Sequence, residues 1–282
     1  MILELSLTFI IGITMFAFLC EYMDSTLGMG YGTTLTPVLL IMGFEPLQVV
    51  PVVLLSELIS GLLAGIFHQR EGNVNFRPKS LRPSVIWGKL NTLGWVASFK
   101  RGFPLHLKIA GLLALCSIIG TVTAVFIALN ISKFWVKLYI GFLVLSMGIM
   151  MLIFFNKKFS FSKRKIFGLG MLASFNKGIS GGGYGPLVTS GQILSGVEGK
   201  SAVGITSLAE GLTCAVGILT YIFVSKNPLD LKLAPFIIIG AVLSVPFSAK
   251  SVRKLTEKRL KFAIATLTII LGIFTIVKTL KS

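Results

Sequence analysis

Ser180–Gly185 reads SGGGYG, and Leu27–Gly32 reads LGMGYG. Each glycine-rich stretch interrupts a hydrophobic segment. A shift of 153 residues lays one on the other without a gap. Gly28, Gly30, Tyr31, Gly32, Gly43, Glu45, Val50, Leu55 and Glu57 then fall on Gly181, Gly183, Tyr184, Gly185, Gly196, Glu198, Val203, Leu208 and Glu210. Composition alone would give far fewer identities, so the chain carries an internal repeat.

Around these breaks the chain is apolar. Of its 282 residues, 54% are hydrophobic and only 13% are charged. Runs long enough to cross a bilayer recur at 1–23, 46–67, 107–129, 134–155, 199–225, 231–249 and 260–280, and shorter or broken ones at 31–42 and 166–195. A soluble domain of this length could not bury so much apolar surface. The net charge of +17 does not indicate nucleic acid. Lys and Arg sit almost entirely in loops and at segment ends, as the positive-inside rule places them, and no basic run is interleaved with aromatics. Cys20, Cys116 and Cys214 lack metal-ligand spacing and read as small buried hydrophobes. His68 and His106 fall at segment ends and read as interfacial. No metal and no cofactor is expected. The first apolar stretch is long for a secretory signal, and no Lys or Arg precedes Arg70, so it reads as part of the mature protein.

The later parts of the repeat align at a different offset. Pro104–Lys108 (PLHLK) matches Pro228–Lys232 (PLDLK), a shift of 124, and Gly148 falls on Gly272. The difference is an insertion at 68–103 in the first copy. It is basic and carries Trp87 and Trp95, which suits either a surface amphipathic helix or a plain cytoplasmic loop. The expected organisation is a first membrane repeat over 1–155, a basic linker over 156–165 and a second repeat over 166–282. If 166–195 dips into the membrane and returns, the basic loops at 68–103, 156–165 and 249–261 all become cytoplasmic. The two repeats are then inverted. The fold class expected is an all-α integral membrane protein. It is a polytopic bundle of about seven or eight membrane segments with two inverted repeats, each with a Gly-broken helix.

Glycine inside a membrane helix has two readings. One is close helix packing, where small residues let backbones approach. The other is local unwinding, which exposes backbone N–H groups to a cavity. A helix that starts after such a break aims its positive end and free N–H groups at an anion, and Pro186 suits a first helical turn. Gly28, Gly30, Tyr31, Gly32, Asn176, Lys177, Ser180, Gly181, Gly182, Gly183, Tyr184 and Gln192 are the substrate-site candidates, with Ser25, Thr26, Thr33, Thr34 and Ser190 nearby. Carboxylates inside a membrane segment are costly and mark function by default. Asp24, Glu57 and Glu210 are therefore candidates for carrying a coupling proton, with Glu21 beside Asp24. A structural role, bracing unwound backbone, fits them equally. Glu45 and Glu198 precede Pro46 and Gly199 and read as helix starts.

Asn176–Pro186 (NKGISGGGYGP), with its weaker copy Asp24–Gly32 (DSTLGMGYG), resembles the TauE/SafE family of sulfite exporters. The resemblance extends over essentially the whole chain. It implies a bacterial inner-membrane permease that moves small sulfur-containing anions such as sulfite and organosulfonates. The first motif departs from the second at Met29, which faces Gly182, so the two half-sites are unequal. The resulting expectation is a proton-coupled secondary exporter that works by alternating access around the paired breaks. The alternative is a passive anion channel or uniporter using the same glycines. The partners expected are a small anion, the lipid bilayer and, as an option, a second copy in a homodimer. No HExxH, GxSxG, paired histidines or Walker-type loop points to an enzyme or an ATP-driven pump.

Overall fold

A computed structural model describes residues 7–77, 104–153, 163–194, 197–225, 232–252 and 257–281. Among these residues the chain is helical throughout, with no strand. Ten helices follow in order: α1 (Leu7–Leu27), α2 (Tyr31–Ile41), α3 (Pro46–Arg70), α4 (Leu105–Asn130), α5 (Lys133–Ile153), α6 (Lys163–Ser180), α7 (Tyr184–Leu194), α8 (Gly199–Val224), α9 (Ala234–Ser251) and α10 (Glu257–Lys281). Most of the insertion, with Trp87 and Trp95, lies outside the described residues, as do the start of the basic linker and the side chain of Ser190.

The helix starts follow the sequence shifts. Tyr31 and Tyr184 open α2 and α7, and Pro46 and Gly199 open α3 and α8. Both pairs are 153 residues apart. Lys133 and Glu257 open α5 and α10, at the second shift of 124. Glu45 and Glu198 occupy the N-cap positions expected of them. At α3 the Gln48 side chain accepts a hydrogen bond from the Glu45 N–H at 2.9 Å, and Pro46 fills the first turn. Lys278 caps the other end of α2 by donating to the Ile41 carbonyl.

Six of the described helices are long and apolar enough to cross a membrane. The exterior is apolar: Leu7, Ile11, Met15 and Leu19 form an exposed stripe on α1 at four-residue spacing, and Ile239, Leu243 and Phe247 form one on α9. The interior holds many polar side chains, among them Glu21, Asp24, Glu57, His68, Lys177 and Glu210. An exposed apolar stripe around a polar interior reverses the pattern of a soluble domain and fits a lipid surround. The all-α membrane class expected from the sequence is therefore borne out. The interior polar groups come chiefly from α1, α3, α6 and α8. By contrast α2 and α7 have 11 residues each. At 1.5 Å per residue they cover about half of a 30 Å hydrocarbon core.

α3 and α8 lie against each other in the middle of the bundle. α1 packs on α9, α6 on α4, and α5 on α10. The α3–α8 contact is close because it is built on glycine: a Cβ on Gly61 would stand 2.8 Å from the Ser207 carbonyl oxygen.

Candidate functional site

The site begins where α1 and α6 stop. Gly28 and Gly181 both adopt φ near 70°, a left-handed conformation that ends a helix and that only glycine takes without strain. The Gly28 N–H returns to the Asp24 carbonyl, and the Gly181 N–H to the Lys177 carbonyl. Gly30 and Gly183 turn the chain a second time, at φ 134° and 78°, into α2 and α7.

The two breaks then press against each other. A Cβ on Gly32 would lie 2.7 Å from Gly182 Cα and overlap the Gly181 carbonyl. One on Gly185 would lie 2.7 Å from Met29 Cα and overlap the Gly28 carbonyl. One on Gly182 would lie 2.7 Å from the Gly32 carbonyl carbon. These glycines serve close backbone packing, one of the two roles open to them. Two of the freed N–H groups find partners inside the protein. Tyr31 N donates to Asp24 Oδ1 at 3.2 Å, so at α2 the chain places its own carboxylate at a helix start. Gly182 N donates to Ser180 Oγ at 3.0 Å.

One turn before the breaks, the charged candidates converge. Lys177, on α6, is fully buried, and its ammonium is paired with Glu57 Oε2 from α3 and, at 2.7 Å, with Glu210 Oε1 from α8. Asp24, on α1, completes the group. Asp24, Glu57 and Glu210 can each offer an oxygen within 4.8 Å of the others. The convergence has a simple geometry. α3 and α8 meet at Gly61, one turn past Glu57, and Asp24 and Lys177 hold equivalent places just ahead of the two breaks. The shift of 153 that relates the breaks also relates Asp24 to Lys177, so the two copies put opposite charges at one position. Glu21 lies behind Asp24, its carboxylate held by Ser25 Oγ at 2.6 Å and Ser60 Oγ at 3.0 Å. Glu21, Asp24, Glu57 and Glu210 line a small pocket with Ser60, Gly61 and Ser207. Among the described residues, four buried carboxylates thus cluster around one buried ammonium that pairs with two of them. Buried charge in a low dielectric must be paired, protonated or bound to an ion, so this group needs further positive charge in any stable state.

The other candidates make local bonds. Tyr31 Oη lies 2.6 Å from Ser56 Oγ. Asn176 Oδ1 accepts from Tyr139 Oη at 2.6 Å, and Ser180 Oγ donates to the Asn176 carbonyl at 2.6 Å. Gln192 Nε2 donates to Thr206 Oγ1 at 2.9 Å. Tyr184 is buried in an apolar cluster with Leu143, Leu187 and Val188. Ser25 binds Glu21, Thr26 its own helix and Thr33 the Gly30 carbonyl, while Thr34 is buried. His68 stands at the end of α3, but its ring is buried. Its Nε2 lies 2.9 Å from the Ser25 carbonyl, so it ties α3 to the helix that carries Glu21 and Asp24.

Thr189 was not among the sequence candidates. Its hydroxyl donates to the Gly28 carbonyl at 2.7 Å and so links α7 to the first break. The signal was present, because Thr36 and Thr189 are also 153 residues apart. Ser60 and Ser207 gave no signal, since single serines in apolar helices usually bond to their own backbone.

The family model described as "Sulfite exporter TauE/SafE" matches residues 13–90 and 84–275. The "Probable membrane transporter protein YtnM" of Bacillus subtilis (strain 168) is 27% identical over 250 residues, covering 84% of this chain and 72% of that protein. No solved structure matches the chain. With the family model spanning most of its length and helices suited to a bilayer, the chain is a multi-pass membrane protein of transporter type that belongs to the sulfite exporter TauE/SafE family.

Proposed function

We propose that the protein is a proton-coupled secondary exporter of small sulfur-containing anions, such as sulfite or an organosulfonate, in a bacterial plasma membrane. The observation that carries this reading is the fully buried Lys177 held between Glu57 and Glu210, one turn from the second break. A buried ammonium is the natural partner of a small anion, and here two carboxylates hold it. Protons on Glu57 and Glu210 weaken that grip and free the ammonium for the substrate. Loss of the protons restores the ion pairs and displaces the anion. Anion and carboxylates thus compete for one cation, so anion and protons bind together and cross together, and export runs where the outward anion gradient exceeds the inward proton gradient. The tight contact between the breaks is the element that opens and closes as two inverted repeats rock about it.

The test is sulfite and sulfoacetate flux in proteoliposomes, with and without an imposed pH gradient, for the wild type and a Glu57→Gln/Glu210→Gln variant. Wild-type flux should follow the gradient, and the variant should lose that dependence. Wild-type flux indifferent to pH would make the protein a uniporter or channel. No flux of either anion would remove the substrate assignment.

A further inference from the structure

The pocket beside the ion pairs carries a second ligand chemistry. Lys177 occupies only one oxygen of each glutamate. The others, Glu57 Oε1 and Glu210 Oε2, have no hydrogen-bond partner among the described residues, although both residues are more than nine-tenths buried and line the pocket. An orphaned carboxylate oxygen at membrane depth is costly unless something positive meets it. Asp24 adds a third carboxylate to the same wall, and Ser60 and Ser207 add hydroxyl oxygens. Each hydroxyl proton is already committed: Ser60 to Glu21 at 3.0 Å, and Ser207 to the Val203 carbonyl at 3.1 Å. Both therefore turn lone pairs, not protons, toward a further partner.

We propose that Asp24, Glu57 and Glu210 form a sodium site in this pocket, with Ser60 and Ser207 as additional oxygen ligands. The spacing fits. Oxygens within 4.8 Å of one another can share a hard cation at contact distances of about 2.3–2.6 Å. The space is about 10 Å³, room for roughly one water-sized body. That volume admits a bare ion and excludes magnesium, which keeps several of its waters. Calcium has the right radius but takes about 6–8 oxygens, whereas one oxygen from each of the three carboxylates and one from each of the two serines make five. A single positive charge next to the Lys177 ammonium also meets less repulsion than a double one. The proposal builds on the reading of this cluster as the coupling site, and its test does not depend on the substrate.

The experiment is equilibrium binding of radioactive sodium to the purified full chain in detergent, at one fixed alkaline pH and without any sulfur anion. The expected result is saturable binding of one ion per chain, displaced by unlabelled sodium and not by equal potassium. Asp24→Asn keeps an oxygen but removes a negative charge from the site, and should weaken binding by about tenfold or more. Ser207→Ala keeps every charge, so it reports on the site even if Asp24→Asn fails to fold, and it should weaken binding a few-fold. Absence of saturable binding, wild-type affinity in Ser207→Ala, or displacement by calcium at lower concentration than by sodium would each overturn the sodium site. Sulfite flux without sodium binding refutes only this inference, and sodium binding without sulfite flux refutes only the substrate.

Discussion

Gly32→Ala is the sharpest perturbation of the paired breaks. Gly32 is helical, so the added methyl brings no backbone strain and acts only through the space it needs. Its Cβ would stand 2.6 Å from the Gly181 carbonyl carbon and 2.7 Å from Gly182 Cα, where ordinary contact begins near 3.4 Å. All these neighbours are backbone, so no side chain can swing aside. The breaks must separate by roughly 1 Å, and overpacking of this kind costs about 1–3 kcal/mol or more. The separation also carries α6 away from α2 and pulls Lys177 from its glutamates. Thermal unfolding of the purified protein in detergent, run beside sulfite flux, measures both effects. Gly32→Ala should unfold at lower temperature and lose most flux. Gly111→Ala is the control: nothing lies within 4 Å of its Cβ position, and it should stay within about 0.5 kcal/mol of wild type with normal flux. A Gly32→Ala protein with wild-type stability and flux would show that the contact between the breaks is not a constraint, and the reasoning would fail.

Lys177→Met leaves Glu57 and Glu210 buried without their counterion, a change that costs about 3–5 kcal/mol. Adding Glu57→Gln and Glu210→Gln should recover much of that stability while flux stays absent, and a triple variant no more stable than Lys177→Met would refute the ion-pair account. Thr189→Val keeps the shape but strips the Gly28 carbonyl of its donor, at about 1–3 kcal/mol. Thr189→Ser should stay close to wild type in the same melt, and equal loss in both variants would point to packing instead of the hydrogen bond.

Much of the architecture was legible because it is written locally. Hydrophobic length marks a membrane helix, since a segment must cover the hydrocarbon core whatever its neighbours are. The glycines at 28, 30, 181 and 183 announced the breaks, because a left-handed turn is a property of a residue and its immediate chain. Pro186 pointed to a helix beginning at the second break, and α7 opens at Tyr184. The buried carboxylates stood out by the same logic, because a charge in an apolar run is anomalous wherever the run folds.

What each of these residues meets was not local. Lys177 lies 120 residues from Glu57 and 33 from Glu210, and no periodicity joins them. Gly32 and Gly182 could have lined an open cradle for an anion, and the sequence allows that as readily as close packing. The choice depends on whether two segments 153 residues apart touch, and here Gly32 lies directly against Gly181 and Gly182. The same packing turned His68 from a segment-end residue into a buried bridge to α1. Composition and local pattern are enough for an apolar helical chain with two glycine breaks and charges at their edges. That the breaks seal against each other, and that one ammonium pairs with two of four clustered carboxylates, came from the packing, because the energies of contact and charge depend on distances between residues that the chain order leaves free.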